Sequence, residues 1–563
     1  MNRTEMTTFL ETLQLDIERM EAADVKASVV ALLNLVETLV AENDKLKEEQ
    51  QKLKDEISRL KGEQGQPEIK GKNRKRDDLS SEQERKEASG EQGKRGGGER
   101  QRDSKRDQIN IDRVEECPVN RDELPEDAIF KGYESVIVQD LKITSDNVEY
   151  RRAVYYSPSR QQTYRGALPA EVKGEFGAGI RALIPTMKHV CNLSEPKLLE
   201  FLHNFNVRIS AAYISSLLTD PHAVFHREKD ELYRTALECG GYQQIDDTRA
   251  RVNGENHSTQ VVCNPWYTAY FTTERKDRLS VLDVLRNFAP RRFVFNSETL
   301  ELLEQGHLSQ KLIRCVDNLA KDQPFTEEQV NQLVDELQPG PQQRSRILEA
   351  AAIAAYHQET ELPVVKLLLC DDAPQFKLLT EELALCWVHD GRHDKKLNPI
   401  VPSHREHLEH FRQDYWAFYG QLLAFKQTPT PAEATRLSEA FDRLFSTQTG
   451  YAELDARIAK TLAKKEALLA VLRHPQLPLH NNDAELGARA QARVRDVSLH
   501  TKSKAGTTAK DTFMTLVQTA KKLGVSAYDY IYDRVSGKFE LPSLAQLIRQ
   551  KSKAELHPCP DPP

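Results

Sequence analysis

Near the N-terminus, apolar residues recur every seven positions, which is the spacing of a coiled-coil helix. One seam position is always leucine, and the other is apolar except for Asn43 and Gln50. A polar Asn in such a seam costs stability but selects a paired, in-register dimer, because two facing amides can satisfy each other. The leucines are Leu32, Leu39, Leu46, Leu53 and Leu60, and the second position holds Val29, Val36, Asn43, Gln50 and Ile57.

Charged residues flank this seam in pairs of opposite sign. In a parallel dimer, each of these glutamates faces a lysine of the other helix. The pairs are Glu42 with Lys47, Glu49 with Lys54 and Glu56 with Lys61. We therefore predict that residues 1–65 form a leucine zipper that joins two copies of the chain, with a solvated amphipathic helix as the alternative.

The hydrophobic pattern disappears over residues 66–108, where Lys, Arg, Glu, Gly and Ser predominate. A segment of this composition cannot bury enough apolar surface to fold alone, so a disordered linker is predicted. In residues 109–185, short β-like runs such as 135–138 lie between Pro and Gly turns. This pattern predicts a small β-containing module.

Residues 186–235 have the pattern of two short helices joined by a turn. Ser194 followed by Glu195 and Pro196 is typical of a capped helix start, and helices are expected over 197–205 and 210–218. This is the proportion of a helix-turn-helix, a motif that binds DNA in many proteins. Two helices meeting at a turn are also common in any α-rich protein, so this pattern alone leaves both interpretations open.

From residue 236 the pattern changes to strands. Residues 242–245, 258–263 and 266–273 predict a three-strand meander, and 279–285 a helix. Later runs at 364–370 and 383–388 predict buried strands, the second leading to His389, and 478–482 introduces a helix that carries Glu485. Helical insertions are expected at about 296–358 and 403–472, the core ends near residue 510, and residues 511–563 form a helical tail.

Carboxylates follow three of these elements. Asp246 and Asp247 follow the first strand, Asp371 and Asp372 follow a buried strand, and Glu485 lies on the first turns of its helix. Carboxylate oxygens are the ligands that Mg²⁺ prefers. Two such ions can catalyse phosphoryl transfer, because one activates the attacking oxygen and the other stabilises the leaving oxygen. Any one of these residues by itself is better explained as a turn residue or helix cap. Neighbours on a strand point to opposite faces, so we expect one aspartate of each pair to face the metal, and we select the first.

The composition narrows the function classes. The 563 residues carry a net charge of −7, so contacts with nucleic acid must come from local basic patches rather than from the overall charge. The 8 cysteines contain no C-x-x-C pair, which argues against a zinc module or a disulfide framework. No uncharged run is long enough to cross a bilayer, and we expect a cytoplasmic protein with no membrane partner.

A local cluster of basic residues follows Glu485. It is suited to contacts with DNA phosphates, and the alternative is a solvated surface. The residues are Arg489, Arg493, Arg495, Lys502, Lys504 and Lys510.

These motifs together resemble the insertion-sequence-66 family of bacterial transposases over most of the chain. The matching stretches are Asp246-Asp247-Thr248, Cys370-Asp371-Asp372, Cys386-Trp387-Val388-His389 with Arg392, and Asn481-Asn482-Asp483-Ala484-Glu485, together with 165–169, 174–177 and 516–530. Typical members also have a cysteine-rich zinc patch after the linker, where this chain has only Cys117, and the helical stretch at 296–358 resembles an added insertion.

The resemblance implies a multidomain α+β protein whose catalytic core, over residues 236–510, is ribonuclease-H-like. It implies a DDE-type transposase in which Asp246, Asp371 and Glu485 bind two Mg²⁺ or Mn²⁺ ions. His389 and Arg392 would lie near the substrate phosphates. The implied partners are double-stranded DNA (transposon ends and target), a second copy of the chain and possible helper proteins of the same element. The alternatives are an inactive DNA-binding relic or regulator, and a ribonuclease-H-like nuclease without strand transfer.

Overall fold

The fold is that of a computed structural model, which describes residues 3–12, 23–60, 111–119, 133–141, 143–169, 172, 174–220, 222–319 and 323–556. The predicted linker at 66–108 lies outside these residues. The protein is α+β with a mixed sheet, as the sequence predicts at this coarse level. It divides into two compact units: one takes the described residues of Met1–Ser81, Ala167–Leu199 and Ser210–Pro563, and the other those of Glu82–Gly166 and Glu200–Ile209.

Helices supply most of the described secondary structure. In chain order they are α1 (Arg3–Thr12), α2 (Ala23–Leu60), α3 (Ala178–His189), α4 (Glu195–Asn204), α5 (Ala211–Thr219), α6 (Ala223–Cys239), α7 (Arg278–Leu285), α8 (Ser297–Gln305), α9 (Gln310–Asp317), α10 (Glu327–Glu336), α11 (Pro341–His357), α12 (Trp387–Arg392), α13 (Pro402–Gln427), α14 (Pro431–Phe445), α15 (Ala452–Leu462), α16 (Lys465–Leu468), α17 (Ala470–Arg473), α18 (Asn482–Ser498), α19 (Lys504–Leu523), α20 (Ala527–Ser536) and α21 (Leu544–Leu556). The predicted helix pair near residue 200 and both predicted helical insertions are present. None of the described helices is long and apolar enough to cross a bilayer.

The smaller unit contains an antiparallel hairpin of β1 (Val154–Ser157) and β2 (Gln162–Arg165). The expected strand at 135–138 is wrong, because this segment pairs with no described strand and leaves Val136 and Val138 exposed. β-Branched residues favour a strand only where a partner strand and a packed face are available.

The sheet of the larger unit has five strands in the order β5-β4-β3-β6-β7. They are β3 (Gln243–Val252), β4 (Glu255–Asn264), β5 (Tyr267–Thr273), β6 (Leu367–Cys370) and β7 (Glu382–Leu385). The first three form the predicted antiparallel meander, and β6 and β7 add to β3 in parallel.

β3 is longer than the sequence pattern predicts. It passes through Asp246 and ends only at Val252, where Asn253 and Gly254, both at positive φ (50° and 84°), turn the chain into β4. Asn-Gly is the residue pair that a two-residue hairpin turn favours, so the sequence contained this signal. Asp246 therefore lies within a strand, and the expectation that it ends one is wrong.

The strand expected at 383–388 is also too long. β7 ends at Leu385, and residues 387–392 form the helix α12, so His389 is helical and does not end a strand. The chain turns here because Trp387 is buried, with its backbone N–H donated to Leu479 O and its indole N–H to Leu468 O. The hydrogen bonds of Trp387 to distant parts of the chain therefore end the strand earlier than the apolar pattern of residues 383–388 predicts.

The helix α19 covers the edge strand β5. Three α19 side chains, spaced four residues apart, accept hydrogen bonds from backbone N–H groups of β5. The donors are every second residue of that strand. The pairs are Asp511 with Thr272 (2.6 Å), Thr515 with Tyr270 (3.0 Å) and Thr519 with Thr268 (3.2 Å). The edge amides are therefore satisfied within the chain. The predicted domain boundary at residue 510 falls inside α19, which belongs to the sheet core.

The predicted zipper segment is helical, and its first half packs against the second helical insertion. Leu33 and Val40 are buried against Ile400 and Val401. The seam leucines lie on a different side of α2, and Leu32, Leu39, Leu46 and Leu53 are all more than half exposed.

Candidate functional site

Asp246 of β3 and Asp371, the residue after β6, lie next to each other at the junction of these two parallel strands. Gln243 of β3 pairs with Leu368 of β6, and Gln244 pairs with Leu369. Continued by two residues, this register places Asp246 beside Asp371. Neighbouring strands are about 4.8 Å apart, and residues in the same register project to the same face. The two carboxylates therefore share one face at the carboxyl end of β6.

The second aspartate of each pair is neutralised by lysine. Asp247 is 2.6 Å from Lys276 Nζ and accepts a hydrogen bond from Gln375, and Asp372 is 2.7 Å from Lys377 Nζ and 2.5 Å from Lys464 Nζ. Burial acts to raise the pKa of Asp372, but the two ammonium groups outweigh it and hold that pKa below its usual value.

Asp246 and Asp371 have no such cation. Within the described part of the chain, neither carboxylate forms an ion pair. Asp246 Oδ1 accepts the N–H of Asp247 (2.8 Å), and Asp371 Oδ1 accepts the N–H of Ala373 (3.1 Å). Their negative charge is therefore not balanced by a nearby side chain.

Glu485 is brought to this face by the start of α18. Asn481 Nδ2 donates to Ile245 O at 2.7 Å, which ties the helix start to β3 one residue before Asp246. Gly487 lies so close to the sheet that a Cβ there would be 2.7 Å from Val261 Cγ1, and Tyr270 donates its hydroxyl to Gly487 O. Only glycine permits this approach, so the start of α18 is held against β4 and β5, while Asn481 ties it to β3.

The three carboxylates influence one another. The pKa of Asp246 is raised to about 7, first by burial and then by the charges of Asp371, Asp247 and Glu485, although the hydrogen bond from the Asp247 amide opposes the rise. The nearby negative charges add to burial in disfavouring the ionised form of Asp246. This is a cost that a bound cation would relieve.

The donor chemistry fits a hard divalent cation, because all three groups offer carboxylate oxygens. Glu485 Oε1 is buried and accepts no hydrogen bond. The oxygens do not converge on a single point, however: across the described residues, no three His, Cys, Asp or Glu side chains are arranged as a ligand set for a metal ion.

Three of the predicted DNA-contacting residues surround Glu485. His389 Nδ1 and an Arg392 guanidinium nitrogen are each 3.7 Å from Glu485 Oε1, and an Arg489 guanidinium nitrogen is 3.3 Å from Oε2. These three residues form a basic rim around Glu485.

The other predicted basic residues lie elsewhere. Arg495, near the end of α18, donates to Arg249 O at 2.6 Å, and Lys502 lies between α18 and α19. Arg493 is exposed on α18, and Lys504 is the exposed first residue of α19. The basic residues of the predicted set therefore divide into two groups, one at each end of α18.

Sequence reasoning missed the lysines that select between the aspartates. Lys276, Lys377 and Lys464 stand in ordinary surface patterns, and no local feature marks them as partners of Asp247 and Asp372. Gly487 did carry a signal. A glycine inside a helix costs about 1 kcal/mol relative to alanine, so its presence two residues after Glu485 indicates a close approach.

Comparison with known proteins gives one informative relative. The chain is 32% identical over 328 residues to the uncharacterized protein y4jO of Sinorhizobium fredii, an alignment that covers 57% of this chain and 100% of y4jO. No protein-family model matches the chain. No solved structure matches it.

Proposed function

The chain belongs to the same protein family as the uncharacterized protein y4jO, and from the geometry of its acidic site we propose that it is a DDE-type DNA transposase. It binds the terminal inverted repeats of an insertion sequence and catalyses metal-dependent strand cleavage and strand transfer. One observation carries the proposal: Asp246 and Asp371 occupy the same register on adjacent parallel strands, with Glu485 on the helix tied to that edge.

The order of the strands supports a ribonuclease-H-like core. An antiparallel meander extended by two parallel strands, β5-β4-β3-β6-β7, is the sheet arrangement of ribonuclease-H-like domains. In that arrangement the first and fourth strands of the domain carry acidic residues side by side. β3 and β6 hold these places here, and they carry Asp246 and Asp371.

Asp246, Asp371 and Glu485 would hold two Mg²⁺ or Mn²⁺ ions. Such ions activate the attacking oxygen and stabilise the leaving oxygen of an in-line phosphoryl displacement. The protein's own contribution is positional. The register of β3 and β6 fixes two of the carboxylates, Lys276 and Lys464 hold the neighbouring aspartates away from them, and Gly487 brings Glu485 close.

The basic rim would orient the DNA. His389, Arg392 and Arg489 lie around Glu485, where they would contact the phosphates on either side of the reacting one. The helix pair α4 and α5 is a further candidate for contacts with the transposon ends. Helper proteins of the same element would act with this chain.

A second copy of the chain is also part of the proposal. Leu46 and Leu53 of α2 are 64% and 65% exposed, and from Ala41 onward α2 has no buried side chain among those described. The glutamate and lysine pairs beside this seam have opposite signs across a parallel dimer. A dimer would supply two equivalent surfaces for two transposon ends.

The test uses Asp371→Asn with Asp372→Asn as the matched control. We expect wild-type protein with Mg²⁺ to nick and join duplexes that carry the inverted repeats flanking its gene. Asp371→Asn should lose this activity by roughly a hundredfold or more, the scale of losing one electrostatic stabiliser of a transition state. Asp372→Asn should retain activity, because its carboxylate faces Lys377 and Lys464. Products are resolved on denaturing gels, and thermal melting checks that both variants fold.

Each outcome decides between the candidate functions. Equal activity of wild type and Asp371→Asn contradicts the assignment of the acidic site. Cleavage without any joined product identifies a nuclease without strand transfer. Specific DNA binding with no metal-dependent reaction identifies a DNA-binding relic or regulator.

A further inference from the structure

A basic cavity lies in the larger unit at the opposite end of α18 from Glu485. It has a volume of about 610 Å³, within the range of about 300–1,000 Å³ for sites that take small molecules. Five cationic side chains line it against a single carboxylate, that of Glu195. The cations are Lys188, Arg251, Arg495, Lys502 and Lys510.

The excess of positive charge in the cavity is only partly compensated. Lys188 donates to Ser498 Oγ at 2.9 Å, and burial lowers its pKa while Glu195 acts to raise it. The helices α4 and α19 both begin at the cavity wall, and helix N-termini add positive potential there. An anionic ligand would therefore be stabilised from several sides.

The cavity also has an apolar wall and two buried polar atoms without a hydrogen-bond partner in the described structure, His189 Nδ1 and Gln491 Oε1. Leu218, Val494 and Leu499 line it together with His189. His189 is 4% exposed, stacks on Phe513 at 5.5 Å, and has no hydrogen-bond partner for Nδ1 within the described structure. Burial, with lesser effects from Lys188, Lys510 and His222, lowers the pKa of His189 to about 3, so the imidazole is neutral. A buried neutral ring nitrogen beside apolar side chains suits the edge of a heterocyclic base better than a bare anion.

Two elements connect this cavity to the acidic site. β3 runs from Asp246 to Arg251, a span of roughly 16 Å, and α18 runs from Glu485 to Arg495, roughly 15 Å. Their far ends are tied together, because Arg495 donates to Arg249 O and Asn253 N donates to Thr501 O. At about 3.4 Å of rise per nucleotide, a strand with one phosphate at the carboxylates reaches the cavity four or five nucleotides away.

We propose that this cavity holds one unstacked nucleotide of the DNA strand that is bound at the acidic site. Its phosphate lies among Lys188, Arg251, Lys502 and Lys510, and its base lies against the apolar wall with an edge toward His189. The inference rests on the proposed function, because it takes the strand at Asp246 and Asp371 to be DNA.

The test measures binding without catalysis. Full-length protein in EDTA is titrated into a fluorescent single-stranded oligodeoxynucleotide, and anisotropy gives the dissociation constant. Lys188→Gln combined with Lys510→Gln should weaken binding about tenfold or more and reduce the salt dependence by one or two counterions. Arg251→Gln combined with Lys502→Gln, at two exposed cavity positions, should weaken binding and reduce its salt dependence in the same way. Because these positions are exposed, this second pair distinguishes a loss of binding from a folding defect in the first pair. The control combines Lys366→Gln with Lys460→Gln, which remove two exposed charges elsewhere on this unit and should leave binding unchanged.

The probes identify the ligand. The same oligodeoxynucleotide with abasic sites should bind wild-type protein more weakly, while deoxyadenosine monophosphate and inorganic phosphate should compete poorly. Equal binding of the abasic probe overturns the nucleotide assignment, and strong competition by the free monophosphate overturns the assignment to a DNA strand. Unchanged binding by both cavity double variants overturns the site itself.

The two proposals fail in different ways. Asp371→Asn should bind this probe like wild type, because the measurement needs no reaction. If Asp371→Asn keeps full cleavage activity while the cavity variants lose binding, the acidic-site assignment is wrong and the cavity assignment stands. If Asp371→Asn loses cleavage activity while both cavity double variants bind the probe like wild type, the acidic-site assignment stands and the cavity assignment is wrong.

Discussion

At the scale of single residues, the environment of each aspartate separates candidate ligands from structural acids. Adjacent aspartates on a strand face opposite sides, and the lysines lie on one side only. Asp247 and Asp372 are paired with Lys276 and Lys464, whereas the pKa of Asp246 is raised, first by burial and then by the charge of Asp371. A protein that needed only stability would pair or replace Asp246, so its retention unpaired is typical of a functional site.

The raised pKa of Asp246 makes a prediction about stability. Its folded pKa of about 7 exceeds the reference value of 3.8, so the folded protein binds the proton more tightly than the unfolded chain. Stability from this residue is complete below about pH 4 and is lost as the pH rises through 7. In EDTA, Asp246→Asn should therefore match wild type near pH 4 and be more stable at pH 8, by on the order of 2–4 kcal/mol.

Urea unfolding at both pH values checks this prediction. Asp483→Asn, on the same turn of α18 as Glu485 and paired with Lys522, is the control and should follow the wild-type pH dependence. Adding Mg²⁺ at pH 8 should stabilise wild type more than Asp246→Asn, because a cation relieves the repulsion that the variant lacks. A pH profile of Asp246→Asn that parallels wild type contradicts the clustering of these charges.

At the scale of elements, α2 provides caps for two helices of the second insertion. Glu37 accepts the N–H groups of Ile400 (2.9 Å) and Val401 (2.8 Å) at the start of α13. Asn34 accepts the N–H of Ala452 at the start of α15 and donates to Gly450 O, both at 2.9 Å. Helix starts have unsatisfied N–H groups, and here a distant helix satisfies them.

Removal of the Glu37 cap should destabilise the protein. Glu37→Ala leaves two buried N–H groups without an acceptor, and we expect a loss of about 2 kcal/mol or more in the free energy of unfolding. Glu37→Gln keeps one acceptor oxygen and should lose less. Glu42→Ala, on the exposed part of the same helix, should stay within about 0.5 kcal/mol of wild type. Chemical denaturation provides the values, and equal losses for Glu37→Ala and Glu42→Ala would show that this cap contributes little.

At the scale of the whole molecule, α2 has two separate tasks. Its first half is anchored to the helices at 403–472 through Leu33, Glu37 and Val40, with the seam residues Val29 and Val36 packed against the same cluster, and the seam is exposed from Ala41 onward among the described residues. Because Lys464 joins Asp372 to Asp390 of α12, the insertion that receives α2 also contacts the edge of the acidic site. The proposed dimer helix and the acidic site therefore contact the same set of helices.

Disruption of the seam should separate the proposed dimer. Leu46→Glu combined with Leu53→Glu places charges in the seam, and sedimentation should then give the monomer mass. Lys45→Glu combined with Lys52→Glu changes more charge at neighbouring positions outside the seam and should remain dimeric. A dimer that survives the leucine substitutions excludes pairing through α2.

The sequence by itself determined the features that depend on local pattern. These include the helical register of α2, the antiparallel meander, the positions of the two helical insertions and the helix start before Glu485, because periodicity and turn chemistry act over a few residues. The Asn253-Gly254 turn was equally readable, although the predicted strand stopped short of it.

Only the tertiary structure decided which residues meet. It placed Asp371 in register with Asp246 and paired the neighbouring aspartates with lysines. It also laid α19 along β5 through residues 239 positions apart and assembled the basic cavity from six helices and strands. Such contacts depend on the packing of the whole core and on which buried N–H and charge must find a partner. No short stretch of the chain contains that information, and it becomes available only once the elements have packed together.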